Sequence, residues 1–175
     1  MGGLAMLLLS KFGWSLDLLF YGTLAAVLLS ISVIDIASFR IPNPITLTGA
    51  ILAVLMTIAF RRDHLLMTLL GGFTGLGALL FMWLIGSLLF RKETLGMGDI
   101  KLAGMMGLYL GPALTVGMFL IGVFLGALIG GALVVAGGKG WGQKIPFGPY
   151  LAAGAITALL WGSQLWNWYL GLVIR

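Results

Sequence analysis

Three observations predict an all-α, polytopic membrane fold with about six transmembrane helices: composition, span length and the spacing of charged breaks. Of the 175 residues, 61% are hydrophobic and 9% charged, and mean hydropathy is +1.13. That leaves too little polar surface to cover a soluble globule. At ~20 residues per helix the chain accommodates six or seven spans with short loops and no folded soluble domain, so residues 1–175 are expected to form a single transmembrane domain.

The N-terminal stretch Gly2-Gly3-Leu4-Ala5-Met6-Leu7-Leu8-Leu9-Ser10-Lys11 is apolar. It lacks the basic start and small-residue cleavage site of a removable signal peptide, and none is expected. Apolar stretches then run near residues 17 to 38, 45 to 60, 65 to 90, 99 to 111, 113 to 137 and 146 to 170, and each is predicted to be a helix. The 65 to 90 stretch exceeds a bilayer width and is expected to tilt, project or kink at Gly71-Gly72. The 99 to 111 stretch is short for a span. Phe39-Arg40-Ile41-Pro42-Asn43-Pro44 reads as a stop that holds extended backbone beside Asp35, because proline lacks a donor and pushes its predecessor out of helix. Such backbone at membrane depth is expected where it lines a cavity.

Counting spans alternately puts the loops near Arg40, Arg91 to Gly98 and Lys139 to Lys144 on one side. That side carries Arg40, Arg91, Lys92, Lys101, Lys139 and Lys144, against Lys11, Arg61, Arg62 and Arg175 opposite. The excess names the first side cytoplasmic. The formal charge of +5 is thus a topology signal, and no basic stripe with interleaved aromatics points to nucleic acid. Gly122, Gly126 and Gly130 recur every four positions and predict close approach of another helix. Gly104, Gly107 and Gly111 form a similar face, expected to hold the Asp99 helix against that of Asp35.

Asp35 and Asp99 fall on that same side. An ionised carboxylate at bilayer depth costs at least ~2.5 kcal/mol, so such residues mark pathways or catalytic sites. Two carboxylates held together resist joint ionisation and share a proton. One then activates a water while the other polarises a carbonyl, which is the chemistry of aspartyl proteolysis. Competing hydrolytic designs lack parts. The chain has no cysteine and a single histidine, and that His64 lies in the Arg61-Arg62-Asp63-His64 turn on the opposite side, a solvated loop residue. Lys101 is two residues past Asp99, about 200° around the helix, and is expected to face away and snorkel. A proton- or ion-coupled transporter is the alternative use of two buried acids, and an inactive assembly scaffold a third.

Three blocks carry a resemblance: Asp35-Ile36-Ala37-Ser38-Phe39-Arg40-Ile41-Pro42-Asn43, Gly96-Met97-Gly98-Asp99-Ile100-Lys101-Leu102 and Ile145-Pro146-Phe147-Gly148-Pro149-Tyr150. In order and spacing they resemble the type IV prepilin peptidase family, membrane aspartyl proteases that cut a short basic leader from prepilins and pseudopilins at the cytoplasmic face of the prokaryotic inner membrane. The resemblance implies that Asp35 and Asp99 are the catalytic pair. It places Arg40, Pro42, Asn43, Gly96, Gly98, Pro146, Gly148 and Pro149 around the substrate. Physics makes the glycines intelligible, since without Cβ atoms Gly96 and Gly98 let a peptide backbone reach the Asp99 carboxylate.

Longer family members carry a cysteine-containing zinc module, and many methylate the new amino terminus with S-adenosylmethionine. This sequence matches the core alone, as do the short members associated with Flp-type pili. The partners the resemblance implies are the basic leader and hydrophobic stem of a prepilin or pseudopilin, together with membrane lipid and no nucleic acid, and a homo-oligomer is left as an option. The expected cofactor for cleavage is none, with S-adenosylmethionine needed only if methylation is retained. The other Gly-x-Gly-Asp clan, presenilin-like, pairs a Tyr-Asp with a Pro-Ala-Leu block, whereas here Ile34 precedes Asp35.

Overall fold

The computed structural model describes residues 2–90, 96–135 and 146–173. Among these described residues six helices follow one another: α1 Gly2–Phe12, α2 Leu16–Ser38, α3 Asn43–Phe60, α4 Leu65–Phe90, α5 Met97–Val135 and α6 Gly148–Val173, with a 3₁₀ turn at Arg62–His64 between α3 and α4. No strand occurs among the described residues. The spans Leu16–Ser38, Asn43–Phe60, Arg62–Leu89 and Met97–Ala132 are each long and apolar enough to cross a membrane. The protein is therefore an all-α polytopic membrane protein. Every predicted apolar stretch is helical where described, and α1 adds a short apolar helix ahead of them.

Local chemistry explains the boundaries. Ser15 caps α2, its side chain accepting from the Leu18 N–H, which satisfies one orphan donor of the first turn. At the other end the Phe39 N–H donates to the Asp35 carbonyl at 2.8 Å, and Phe39 adopts a left-handed conformation with φ 52. An aromatic residue there costs about 1–2 kcal/mol. That turn ends α2 within four residues of Asp35.

The expected stop is shorter than predicted. Only Phe39 to Pro42 lie outside helix, and Asn43 and Pro44 already form the first turn of α3. A proline there gives up no hydrogen bond, because the first N–H groups of a helix have no partner within it.

The glycines decide which helices touch. Positions 71 and 72 do not break α4, which runs through them. A Cβ on Gly71 would lie 2.1 Å from the Gly107 carbonyl and 2.6 Å from Gly111 Cα, and one on Gly75 would lie 2.2 Å from the Ala103 carbonyl. Gly104 and Gly107 therefore press α5 onto α4, whereas the sequence suggested α2 as their partner. The correction has a physical basis: a small-residue face permits close approach without naming who approaches. Beyond it α5 breaks at Gly111 (φ 73, ψ 171), directly before Pro112. This is the boundary expected between the 99 to 111 and 113 to 137 stretches. After the break, Gly122 and Gly126 accept α6, lying against Leu151 and against Phe147 and Tyr150.

The two ends of the bundle differ. At one, Arg61 forms an ion pair with Asp17 at 3.4 Å, stacks over Phe20 and Tyr21 at 4.9 and 5.4 Å and donates to the Tyr21 hydroxyl. Lys11 reaches the Leu159 and Leu160 carbonyls of α6 at this end. Exposed Trp14, Trp161 and Trp168 belong to the same end, where amphipathic rings suit the headgroup region. His64 is exposed in the adjoining turn. At the opposite end the last turn of α2 meets the N-termini of α3, α5 and α6. The loop residues Arg91, Lys92, Lys139, Lys144 and Ile145 lie outside the described residues, as does Arg175.

Candidate active site

Asp35 sits one turn from the end of α2 and is 4% exposed. Its partner comes from far along the chain: the Gly148 N–H, first in α6, donates to Asp35 Oδ2 at 3.0 Å. That N–H belongs to the unsatisfied first turn of a helix whose dipole favours a negative charge at this point. Charge-assisted bonds of this kind are stronger than neutral ones. A Cβ on residue 148 would stand 2.7 Å from the same oxygen, so the close approach requires glycine. Pro149 occupies the next position, where its missing donor gives up nothing, and Pro146 and Phe147 lead in, half-buried.

Asp99 lies in the first turn of α5, half-buried. Its backbone N–H donates to the Gly96 carbonyl at 3.1 Å, and the Gly96 N–H in turn serves the Asp99 carboxylate. A Cβ on Gly96 would lie 3.2 Å from Asp99 Oδ2. The two carboxyl groups are near enough to repel each other when both are ionised. The bundle has thus brought together acids 64 positions apart in sequence.

The other residues singled out in the sequence surround this pair in distinct ways. Gly98 lies beneath Ile41, whose Cβ would be 3.0 Å from a Cβ at 98, so glycine here lets the α2–α3 connection lie against the start of α5. Pro42 precedes α3 with φ −67, and Arg40 is exposed on that connection. Asn43 accepts from Lys101 Nζ at 3.0 Å through its Oδ1. Lys101 points away from Asp99, as its angular position requires, but it ties α5 to α3 and does not simply reach for water. No sequence signal announced that bond or the Ile41 contact, because both depend on where α3 and its lead-in run.

Paired carboxylates at one end of a polytopic helical bundle, each served by a backbone N–H at or beside a helix start, define a class of membrane protein with acid–base capacity. Residues 22–131 match the model of the type IV leader peptidase family, and the chain belongs to that family. The chain is 34% identical over 166 residues to a prepilin leader peptidase/N-methyltransferase of Aeromonas hydrophila, covering 86% of this chain and 53% of the relative. It is 31% identical over 164 residues to a protein of the same name from Bacillus subtilis (strain 168), covering 94% of this chain and 64% of the relative. A third, from Legionella pneumophila, is 31% identical over 163 residues, with 91% and 56% covered. The chain spans between half and two thirds of the length of these curated relatives. No solved structure matches it.

Proposed function

We propose that this protein is a membrane-embedded aspartyl endopeptidase that removes the short basic leader from type IV prepilins or prepilin-like substrates, including Flp-type pilins and pseudopilins. The observation that carries the reading is the meeting of Asp35 and Asp99 at one end of the bundle, within a chain of the leader peptidase family. Neither the family nor its relatives' names carry a transport function, so the transporter alternative gains no support.

In the proposed reaction one carboxylate takes a proton from a water molecule, whose oxygen attacks the scissile carbonyl. The protonated partner donates to that carbonyl oxygen, and as the tetrahedral intermediate collapses the first carboxyl group gives its proton to the leaving amine while the second takes back the hydroxyl proton. The proton count balances and the carboxyl groups end as they began. Gly148 and Gly96 hold the two carboxyl groups through backbone donors, while Arg40, Pro42, Asn43, Gly98, Pro146 and Pro149 frame the peptide. The active end faces the cytoplasm of the prokaryotic inner membrane. Cleavage needs no cofactor, and S-adenosylmethionine enters only if the new amino terminus is methylated.

The test is incubation of the purified protein with a prepilin in vesicles, followed by mass spectrometry of the products. Release of the intact leader and a shortened pilin is expected. An unchanged prepilin sinks the reading. Added S-adenosylmethionine then reports separately whether a methyl group appears.

A further inference from the structure

A cavity of about 660 Å³ opens between α3, α4 and α5. Helices α3 and α4 meet beside their connecting turn, where Thr57 and Thr68 share a hydrogen bond of 3.3 Å. The cavity lies on the other side of that contact, toward Asp99. Apart from Pro44, its lining positions fall at the same i, i+3, i+4, i+7 spacing on all three helices, from Asn43 to Ala50 on α3, Leu69 to Leu76 on α4 and Lys101 to Leu108 on α5. Three such seams facing one space are the seat of a fourth helix, about two turns long at 1.5 Å per residue.

We infer that this cavity seats the apolar helix of the substrate, the stem that follows the scissile bond. The inference rests on the peptidase reading and deepens it. Two features select this occupant over a lipid chain. The seat opens at the dyad end of the bundle, its rim the Lys101–Asn43 bond, on the face of α5 that Lys101 takes and Asp99 does not. Its polarity also changes in the right place. Lys101 and Asn43 stand at the dyad end, while the walls beyond are apolar apart from Thr46, matching a substrate whose polar leader gives way to an apolar stem. Leu47 and Phe73, 62% and 71% exposed, flank an entrance from the bilayer, so a stem already in the membrane enters sideways.

The chain has no cysteine, which makes site-specific cross-linking direct. Leu47→Cys and Phe73→Cys, each carrying a photoactivatable maleimide, are compared with Val33→Cys and Leu120→Cys on other exposed faces. The background is Asp99→Asn, so that capture does not depend on cleavage, and the probe is a prepilin in phospholipid vesicles. Adducts to the prepilin stem are expected at 47 and 73 and at least tenfold fewer at 33 and 120. Equal yields at all four sites, or adducts to lipid alone at 47 and 73, overturn the seat while leaving the peptidase reading standing. In the otherwise native chain, Ala50→Trp fills the cavity and is expected to raise KM for the prepilin at least tenfold relative to Leu120→Trp. An unchanged KM also overturns the seat. Failure of the native protein to cleave any prepilin is a separate result, and it strikes the peptidase reading.

Discussion

The Gly148 N–H reaches Asp35 Oδ2 across 3.0 Å, joining residues 113 positions apart. This bond fixes the direction of one carboxyl group of the Asp35–Asp99 pair from the start of another helix, and it leaves no room for a side chain at 148. Gly148→Ala is therefore expected to push the carboxylate aside. Because misplacement by about 1 Å costs on the order of 100-fold in rate, kcat should fall by at least tenfold with KM little changed. Gly154→Ala supplies the contrast. Its Cβ would meet the Met118 carbonyl at 2.5 Å, so it should lower the melting temperature through α5–α6 packing. Steady-state kinetics and thermal unfolding in detergent check both.

The dyad predicts strong non-additivity. Asp35→Asn and Asp99→Asn each keep size and polarity but remove a titrating oxygen, so each should abolish prepilin cleavage while leaving the protein inserted. The double variant should be no worse than either single one, as expected of residues acting as a unit. For the native protein the rate should fall at both low and high pH, since one proton must be present and only one. The two limbs then report the pair and not either residue. Near-native cleavage by either Asn variant refutes the dyad.

Helix packing at the α4–α5 crossing gives a stability test independent of activity. A methyl group at Gly71 or Gly107 would overlap the opposing backbone, 2.1 Å from a carbonyl oxygen in each case. Backbone cannot move aside as a flexible side chain does, so each Ala variant should lose about 2 kcal/mol or more. Gly77 offers the control on the same helix, with nothing within 4 Å of a Cβ. Chemical unfolding that fails to separate position 71 from position 77 contradicts the crossing.

Topology is testable through the absence of cysteine. Arg40→Cys should be labelled only from the cytoplasm and Arg62→Cys only from outside, because they sit at opposite ends of the bundle and the basic residues favour the Arg40 side. A membrane-impermeant thiol reagent on intact cells reads the result directly. Labelling of position 40 from outside inverts the orientation.

A chelator should leave cleavage intact, since the proposed chemistry uses carboxylates and water. Measured loss with chelator, reversed by zinc, would replace the aspartyl mechanism with a metal-dependent one.

Much of this protein was determined by its sequence alone. Apolar runs of membrane length dictate helices, because backbone polar groups in lipid must be satisfied within the segment. Gly111-Pro112 dictates the break in α5, since proline cannot donate and glycine tolerates positive φ. Asp35 and Asp99 stand out because a buried charge is too costly to be casual. Partnership is what the tertiary structure decided. The glycines after Asp99 declare a smooth face, but only the fold gives that face to α4. Gly148 reads as one residue of a motif, yet only the arrival of α6 makes it the donor to Asp35, and only the course of α3 joins Lys101 to Asn43. Sequence periodicity records which side of a helix is buried. It carries no information about which distant segment buries it, because that depends on how all the helices pack at once.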